Sequence, residues 1–281
     1  MSLLAILAGA ALAACPFADP SADPAAYLRS ADRAEVEAAL TCLGHPDPDV
    51  RDRRAYGGFF ATLRDGTFPA DLRGDLGEAL ARQMAEKDAE GGFAPPFAAL
   101  VMSELARTDR IEPWLGEADL ARLVAVASNY LAGVDDYRGF SPEDGWRHGV
   151  AHGADLMMQL ALNPRIDSGM ARQMLAAIAV QVAPRDHAYR FAEPYRLARP
   201  VIYLAGTEAL SEQEWEAWLA ALYPSGEAAD AGRYHDLAAL NRMHNVRAFA
   251  LEISQMASRQ GGSPALALHD EAAALLRLTA G

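Results

Sequence analysis

The sequence predicts an all-α fold, a stack of antiparallel helical hairpins arranged as a HEAT/armadillo-like α-α superhelix. Three observations lead there. From about residue 30 onward, apolar residues recur at spacings of three and four, with Ala and Leu dominant. β-branched runs with two-residue alternation are nearly absent. Short Pro- and Gly-containing breaks separate segments of helical length, with the pair spacing of degenerate HEAT-like repeats.

Taken in order, GHPDPD (44–49) leads into VRDRRAYGGFFATLRDG, and Pro69 opens a segment closed by Gly91-Gly92. FAPPFAALVMSELARTD and EADLARLVAVASNYLAGV follow as helices. Ser141-Pro142-Glu143-Asp144 reads as a helix start, with a serine cap, a proline in the first turn and two acids near the positive end of the dipole. Asn163-Pro164 reads as its stop. SGMARQMLAAIAVQVA and AEPYRLARPVIYLAG come next, the second with Pro200 expected to kink or split it. Ser211 and Glu214 have capping-box spacing, and two further helical segments finish the chain. No composition shift marks an internal boundary, so residues 31–281 read as a single all-helical repeat-like domain.

The residues before 31 read differently. Met1 to Ala14 is an uncharged apolar run of signal-peptide length, too short to span a bilayer. It ends in Leu12-Ala13-Ala14-Cys15, which resembles a lipobox, although no Lys or Arg precedes the run. Residues 1–15 are therefore expected to be a lipoprotein-type signal ending at Cys15, the lipidation site. Residues 16–30, rich in Pro, Ala and Asp, are expected to be a flexible tether. The expected location is the cell envelope, lipid-anchored and facing away from the cytoplasm, with the cytoplasm as the fallback. Cys42, the other cysteine, is expected to be unpaired and buried.

Composition narrows the partners. The chain has 281 residues, 51% hydrophobic and 22% charged, which suits a globular protein with a sizeable core. Its formal net charge is -13 and Lys87 is the sole lysine, with no basic stripe, so nucleic acid is excluded as a partner. A lipid anchor is the only membrane contact expected; an envelope protein or a small ligand is the expected partner.

The chemistry-bearing stretch is GWRHGVAHGADLMMQLALNP, residues 145–164. On a continuous helix His148, His152, Asp155 and Gln159 share a narrow stripe, while apolar residues cover the rest. Such a narrow polar band implies burial on several sides and polar groups that need partners. Three uses fit: a divalent-metal site of His148, His152 and Asp155; a His152–Asp155 acid–base or ligand-binding pair; or a structural network. Metal is the least favoured, because no second group has metal-ligand spacing. Other candidates are an E-x-x-R pair, Glu193 and Arg196, and Arg138 beside Gly139. Asn241, His244 and Asn245 cluster, with His244 read as a satisfied core histidine and His187 as a solvent-exposed loop residue. Phosphate-loop, nucleophile-elbow and paired-cysteine metal motifs are absent from the sequence.

The segment DYRGFSPEDGWRHGVAHGADLM resembles the signature of the bacterial family called domain of unknown function 2785. VRDRRAYGGFFATLRDG, FAPPFAALVMSELARTD and AEPYRLA are similar to further blocks of that family, so the resemblance covers roughly residues 45–260. It implies an all-helical, repeat-like fold and no reaction. Arg138, Trp146, His148, His152, Asp155, Glu193 and Arg196 occupy signature positions. The sequence departs from the family at Pro95-Pro96, Pro194 and Tyr195. Two readings follow: an envelope scaffold that binds a partner through a concave face, or a small-ligand binder or hydrolase-type enzyme, metal-dependent or not, with a pocket lined by His148, His152 and Asp155.

Overall fold

A computed structural model describes residues 15–86, 90–207, 209–228, 231–260 and 263–280; the apolar run 1–14 lies outside them. The described chain is predominantly helical. Its helices are α1 (Pro24–Arg29), α2 (Arg33–Thr41), α3 (Gly57–Arg64), α4 (Arg73–Met84), α5 (Ala94–Ile111) and α6 (Glu117–Gly133). A hairpin of β1 (Phe140–Ser141) and β2 (Gly145–Trp146) precedes α7 (Gly149–Ala161). Then come α8 (Ser168–Val182), α9 (Glu193–Ala205), α10 (Glu212–Leu222), α11 (Ser225–Ala228), α12 (Leu237–Gln260) and α13 (Ser263–Leu278). A π-helical segment, Asp49–Tyr56, runs directly into α3.

Side-chain caps explain several starts. Asp32 and Glu35 close a reciprocal capping box on α2, and Ser211 and Glu214 do the same on α10, as their spacing requires. α9 runs unbroken through Pro200, which therefore does not split it. Among the described residues, no helix is long and apolar enough to cross a membrane.

The chain divides into two compact units where the sequence shows no boundary. One comprises residues up to Leu115 together with Arg138–Leu156; the other comprises Gly116–Tyr137 and everything from Met157 onward. Each unit is discontinuous in sequence, so no linker composition announces the division. In the first, α4 and α3 pack on α5, and α1 packs on α3. In the second, α6 packs on α8, α8 on α9, α9 on α12, and α12 and α10 on α13. The first core contains Phe17, Phe59, Phe68, Leu76 and Leu80; the second contains Trp215, Tyr223 and Phe249.

The amino-terminal segment differs from its expected tether. Cys15 forms a disulfide with Cys42, with a Cα–Cα distance of 5.0 Å, and both residues are buried. A sulfur held in this bond is not available for lipidation, and Cys42 is not unpaired. Residues 16–29 are folded: Phe17 is buried edge-on against Tyr27, and α1 is capped by Asp23, which accepts from Ala26 N. The expectation failed because each cysteine was read alone. Cys42 caps the end of α2, where the turn Cys42–Gly44 lies against the turn Pro16–Ala18.

Within the first unit, a buried arginine fastens the hairpin. The Arg51 side chain has no exposed surface; Nη1 donates to His45 O (3.0 Å) and Pro46 O (3.2 Å), and Nη2 donates to Asp144 O (2.9 Å). Its guanidinium carbon stands 4.0 Å from the Phe93 ring centre and 5.0 Å from that of Phe97. Nε lies 2.7 Å from Asp52 Oδ1 in a close ion pair whose angles are not those of a directed hydrogen bond. Burial pulls Arg51 below its ordinary pKa against the opposing Asp52 charge, and burial likewise pushes Asp52 up. Replacing Arg51 with Met strands Asp52 and three carbonyls, and is expected to cost about 3 kcal/mol. Denaturant unfolding checks this; a loss below about 1 kcal/mol contradicts the anchoring role.

Candidate functional site

Residues 140–148 do not form the helix that Ser-Pro-Glu-Asp announces. Phe140 pairs with Trp146 and Ser141 with Gly145, leaving 142–144 as a three-residue hairpin loop. Ser141 Oγ accepts from Asp144 N (3.0 Å), so the serine closes a turn instead of capping a helix. Gly145 has φ +73°, and a Cβ there would lie 3.1 Å from Pro48 Cβ and 3.2 Å from Arg51 Nη2. The two-glycine frame, Gly139 and Gly145, and the Asp-Gly step were the sequence signals for this hairpin.

His148 is the consequence. It has φ +58°, a left-handed conformation that is uncommon outside glycine, and α7 begins only at Gly149. Backbone N–H groups of Arg147 and His148 donate to the carbonyls of Gly139 (3.0 Å) and Arg138 (3.1 Å). His148 therefore leaves the helical stripe expected for it. Its ring stacks on Trp146 with centroids 4.6 Å apart and planes 20° apart. Trp146 in turn meets Phe140 at 5.2 Å. Trp146 and Phe140 are 37% and 48% exposed, whereas His148 is buried, so an aromatic stack runs from solvent inward.

His152 sits at the inner end. Its ring lies 5.9 Å from that of His148 and edge-on to Phe97 at 5.1 Å. Nδ1 is 3.1 Å from Pro96 O; a carbonyl only accepts, so Nδ1 carries the proton in this contact. Asp155 is half-buried one turn further on, the only residue of α7 that is not buried. Among the described residues, no three His, Cys, Asp or Glu side chains are placed to hold a metal ion. The left-handed turn takes His148 out of the helical register in which the sequence set it with His152 and Asp155.

Two arginines meet at the carbonyl of Gly91. Arg147 is buried; Nε donates to Gly91 O (2.7 Å), Nη1 to Asp144 Oδ2 (3.1 Å), and its guanidinium lies 4.3 Å from the Phe93 ring centre. Phe93 thereby contacts two guanidiniums, Arg51 and Arg147. Gly91 (φ +73°) has no room for a side chain, since a Cβ would come 2.7 Å from the Phe93 ring. Arg138, exposed, directs Nη2 at the same Gly91 carbonyl at 3.5 Å.

The remaining candidates belong to the second unit. Glu193 is buried at the start of α9, its Oε2 accepting from Phe191 N (2.9 Å), and Arg196 is half-buried one turn on. Ala192, just before, is the other non-glycine residue with positive φ among the described residues, +64°. His187 is not a free loop residue. Its ring stacks on Tyr137 (5.2 Å, 7°) and meets Tyr189 edge-on at 5.7 Å. Asn245 holds the loop, donating to His187 O (2.8 Å) and Pro184 O (3.2 Å) and accepting from Tyr189 N (2.9 Å). His244, exposed rather than in the core, contacts Tyr189 O at 3.3 Å. Gln181, unmarked by any local sequence pattern, is fully buried and accepts from the Tyr189 hydroxyl.

A family model described as Protein of unknown function (DUF2785) matches residues 80–254. That span takes in the hairpin, α7 and the Glu193 and Arg196 positions, and leaves out the 50–66 block. No curated protein and no solved structure matches the chain.

Substitutions at His148 separate the two backbone conformations. In a helix, Gly is less stable than Ala by about 1 kcal/mol; at a left-handed position the order reverses by about the same amount. His148→Gly is expected to be the more stable of the two in thermal unfolding, and an advantage for His148→Ala would contradict the left-handed turn. His187 gives a pH test. Burial lowers its pKa ahead of the opposing Glu193 charge, and its Nε2 is buried without a hydrogen-bond partner among the described residues. A folded-state value below the ordinary 6.5 means that the unfolded chain takes up the proton first. Stability should therefore be full above about pH 6.5 and decline as pH falls below it. Urea titrations should show a shallower decline for His187→Gln; identical slopes would refute this.

Proposed function

The chain belongs to the DUF2785 family, and from that premise we propose that it is a non-catalytic binding module working outside the cytoplasm. On this reading it engages a protein or cell-envelope component through the aromatic surface of the β1–β2 hairpin. The observation that carries this is the Phe140–Trp146 pair, exposed at the surface yet fixed from beneath by the buried His148 ring. Exposed aromatic rings next to an arginine, here Arg138, have the composition of an interface hot spot. Rings already held in place lose little rotamer freedom on docking, which favours affinity. The HEAT/armadillo-like stacking expected of a scaffold draws support from the consecutive pairs α4–α5 and α12–α13.

The small-ligand or hydrolase reading rests on the two imidazoles, 5.9 Å apart. The left-handed backbone of His148 weighs against it, because that imidazole no longer shares a helical stripe with His152 and Asp155.

A photo-crosslinking residue in place of Phe140, used in envelope extracts of the source organism, tests the binding reading. One dominant adduct is expected, weakened in Trp146→Ala by about 2 kcal/mol, roughly 30-fold. Adducts unaffected by Trp146→Ala but lost in His152→Ala would favour the small-ligand reading and count against the docking surface.

A further inference from the structure

The amino-terminal segment is a built part of the first unit. Three backbone carbonyls, those of Asp19, Pro20 and Ala22, accept from the single guanidinium of Arg54, two of them at 3.0 and 2.9 Å. α1 meets α3 so closely that a Cβ on Gly58 would stand 2.7 Å from Pro24 Cβ. Phe17 and Leu28 have no exposed surface, and Cys15, at 6% exposure, is bonded to a fully buried Cys42. A diacylglyceryl thioether on Cys15 would need the sulfur that makes this bond and would have to emerge from a buried position.

We propose that Cys15 and Cys42 are a site of oxidative modification, joined after export to an oxidising compartment, and that Cys15 carries no lipid. Two observations meet here. Cytoplasmic thiols are kept reduced, so a buried structural disulfide points to an exported chain. Independently, the sequence ahead of Cys15 is the apolar run Met1–Ala14, which reads as an export signal. The oxidant is a disulfide-carrying thiol oxidoreductase of that compartment. A Cys15 or Cys42 thiolate attacks its disulfide to give a mixed disulfide, and the second cysteine displaces it. Two thiols become one disulfide, and the two electrons and two protons leave on the oxidoreductase as its dithiol. The partner is thus a thiol–disulfide oxidoreductase that must act before α1, α2 and α3 close over the sulfurs. The proposal takes only the export from the function proposed above, and it stands or falls without the aromatic surface.

The test expresses the full chain, with its own leader, in a bacterium with an oxidising envelope. Denatured protein is treated with maleimide-polyethylene glycol before and after reduction, and intact mass and palmitate labelling are measured on the same material. No adduct before reduction, two after it, and no acyl mass are expected. Free thiols in the exported chain, or palmitate label that Cys15→Ser abolishes, would overturn the proposal. A host lacking the oxidase should yield two reactive thiols and faster trypsin cleavage at Arg29 and Arg33; unchanged thiol blockage in that host would overturn the assignment of the oxidant. Trp146→Ala should leave every one of these readings unchanged, which keeps a failure of this proposal distinct from a failure of the binding reading.

Discussion

A guanidinium buried at Arg51 ties three separate parts of the first unit to one point. It reaches the 45–46 turn through two carbonyls, the β hairpin through Asp144 O, and the start of α5 through the faces of Phe93 and Phe97. A fully desolvated cation is expensive unless it is compensated, and here three carbonyls accept from it while the Asp52 carboxylate and two ring faces oppose its charge. Gly145 and Gly91 belong to the same constraint. One must be bare to let the Arg51 guanidinium pass, the other to let Phe93 lie flat beneath Arg51 and Arg147. Arg51 lies within a π-helical segment, a local irregularity often found where a helix serves a site.

From this anchor the geometry of the candidate site follows outward. With Asp144 fixed, the hairpin is fixed, and Trp146 projects where the His148 ring can support it. The backbone of His148 must then turn left-handed for α7 to begin at Gly149. That strained residue sits between an exposed indole and a buried imidazole, where strain is commonly stored at functional positions. The outcome is a surface whose rings are placed before any partner arrives. It accounts for a His-x-x-x-His sequence whose first histidine stands outside the helix that carries the second.

Much of the fold was readable from periodicity. Capping residues, helix lengths and the stop at Asn163 follow local rules, and α2, α8 and α10 obey them. The site was readable as a location but not as a geometry. Trp146, His148 and His152 do come together, yet the hairpin was hidden because Ser-Pro-Glu-Asp satisfies helix-start and turn rules equally well. Tertiary contacts, above all Arg51 with Asp144 O across 93 residues, chose the turn. The same kind of long-range information decided the fate of Cys15, since its partner lies 27 residues on and no local pattern names it. The ring stack of Tyr137, His187 and Tyr189 was invisible for that reason too: residue 137 and the 187–189 loop meet only after α8 has folded back.

Residues 138–149 form an anchored hairpin and a left-handed turn, and not the first half of a helix. Backbone chemical shifts and nuclear Overhauser contacts of the folded protein measure this directly. Contacts between the Trp146 indole and the His148 imidazole, cross-strand contacts from Phe140 to Trp146, and a left-handed shift pattern at His148 are expected. Continuous helical contacts running from Ser141 through His148 to His152 would contradict it.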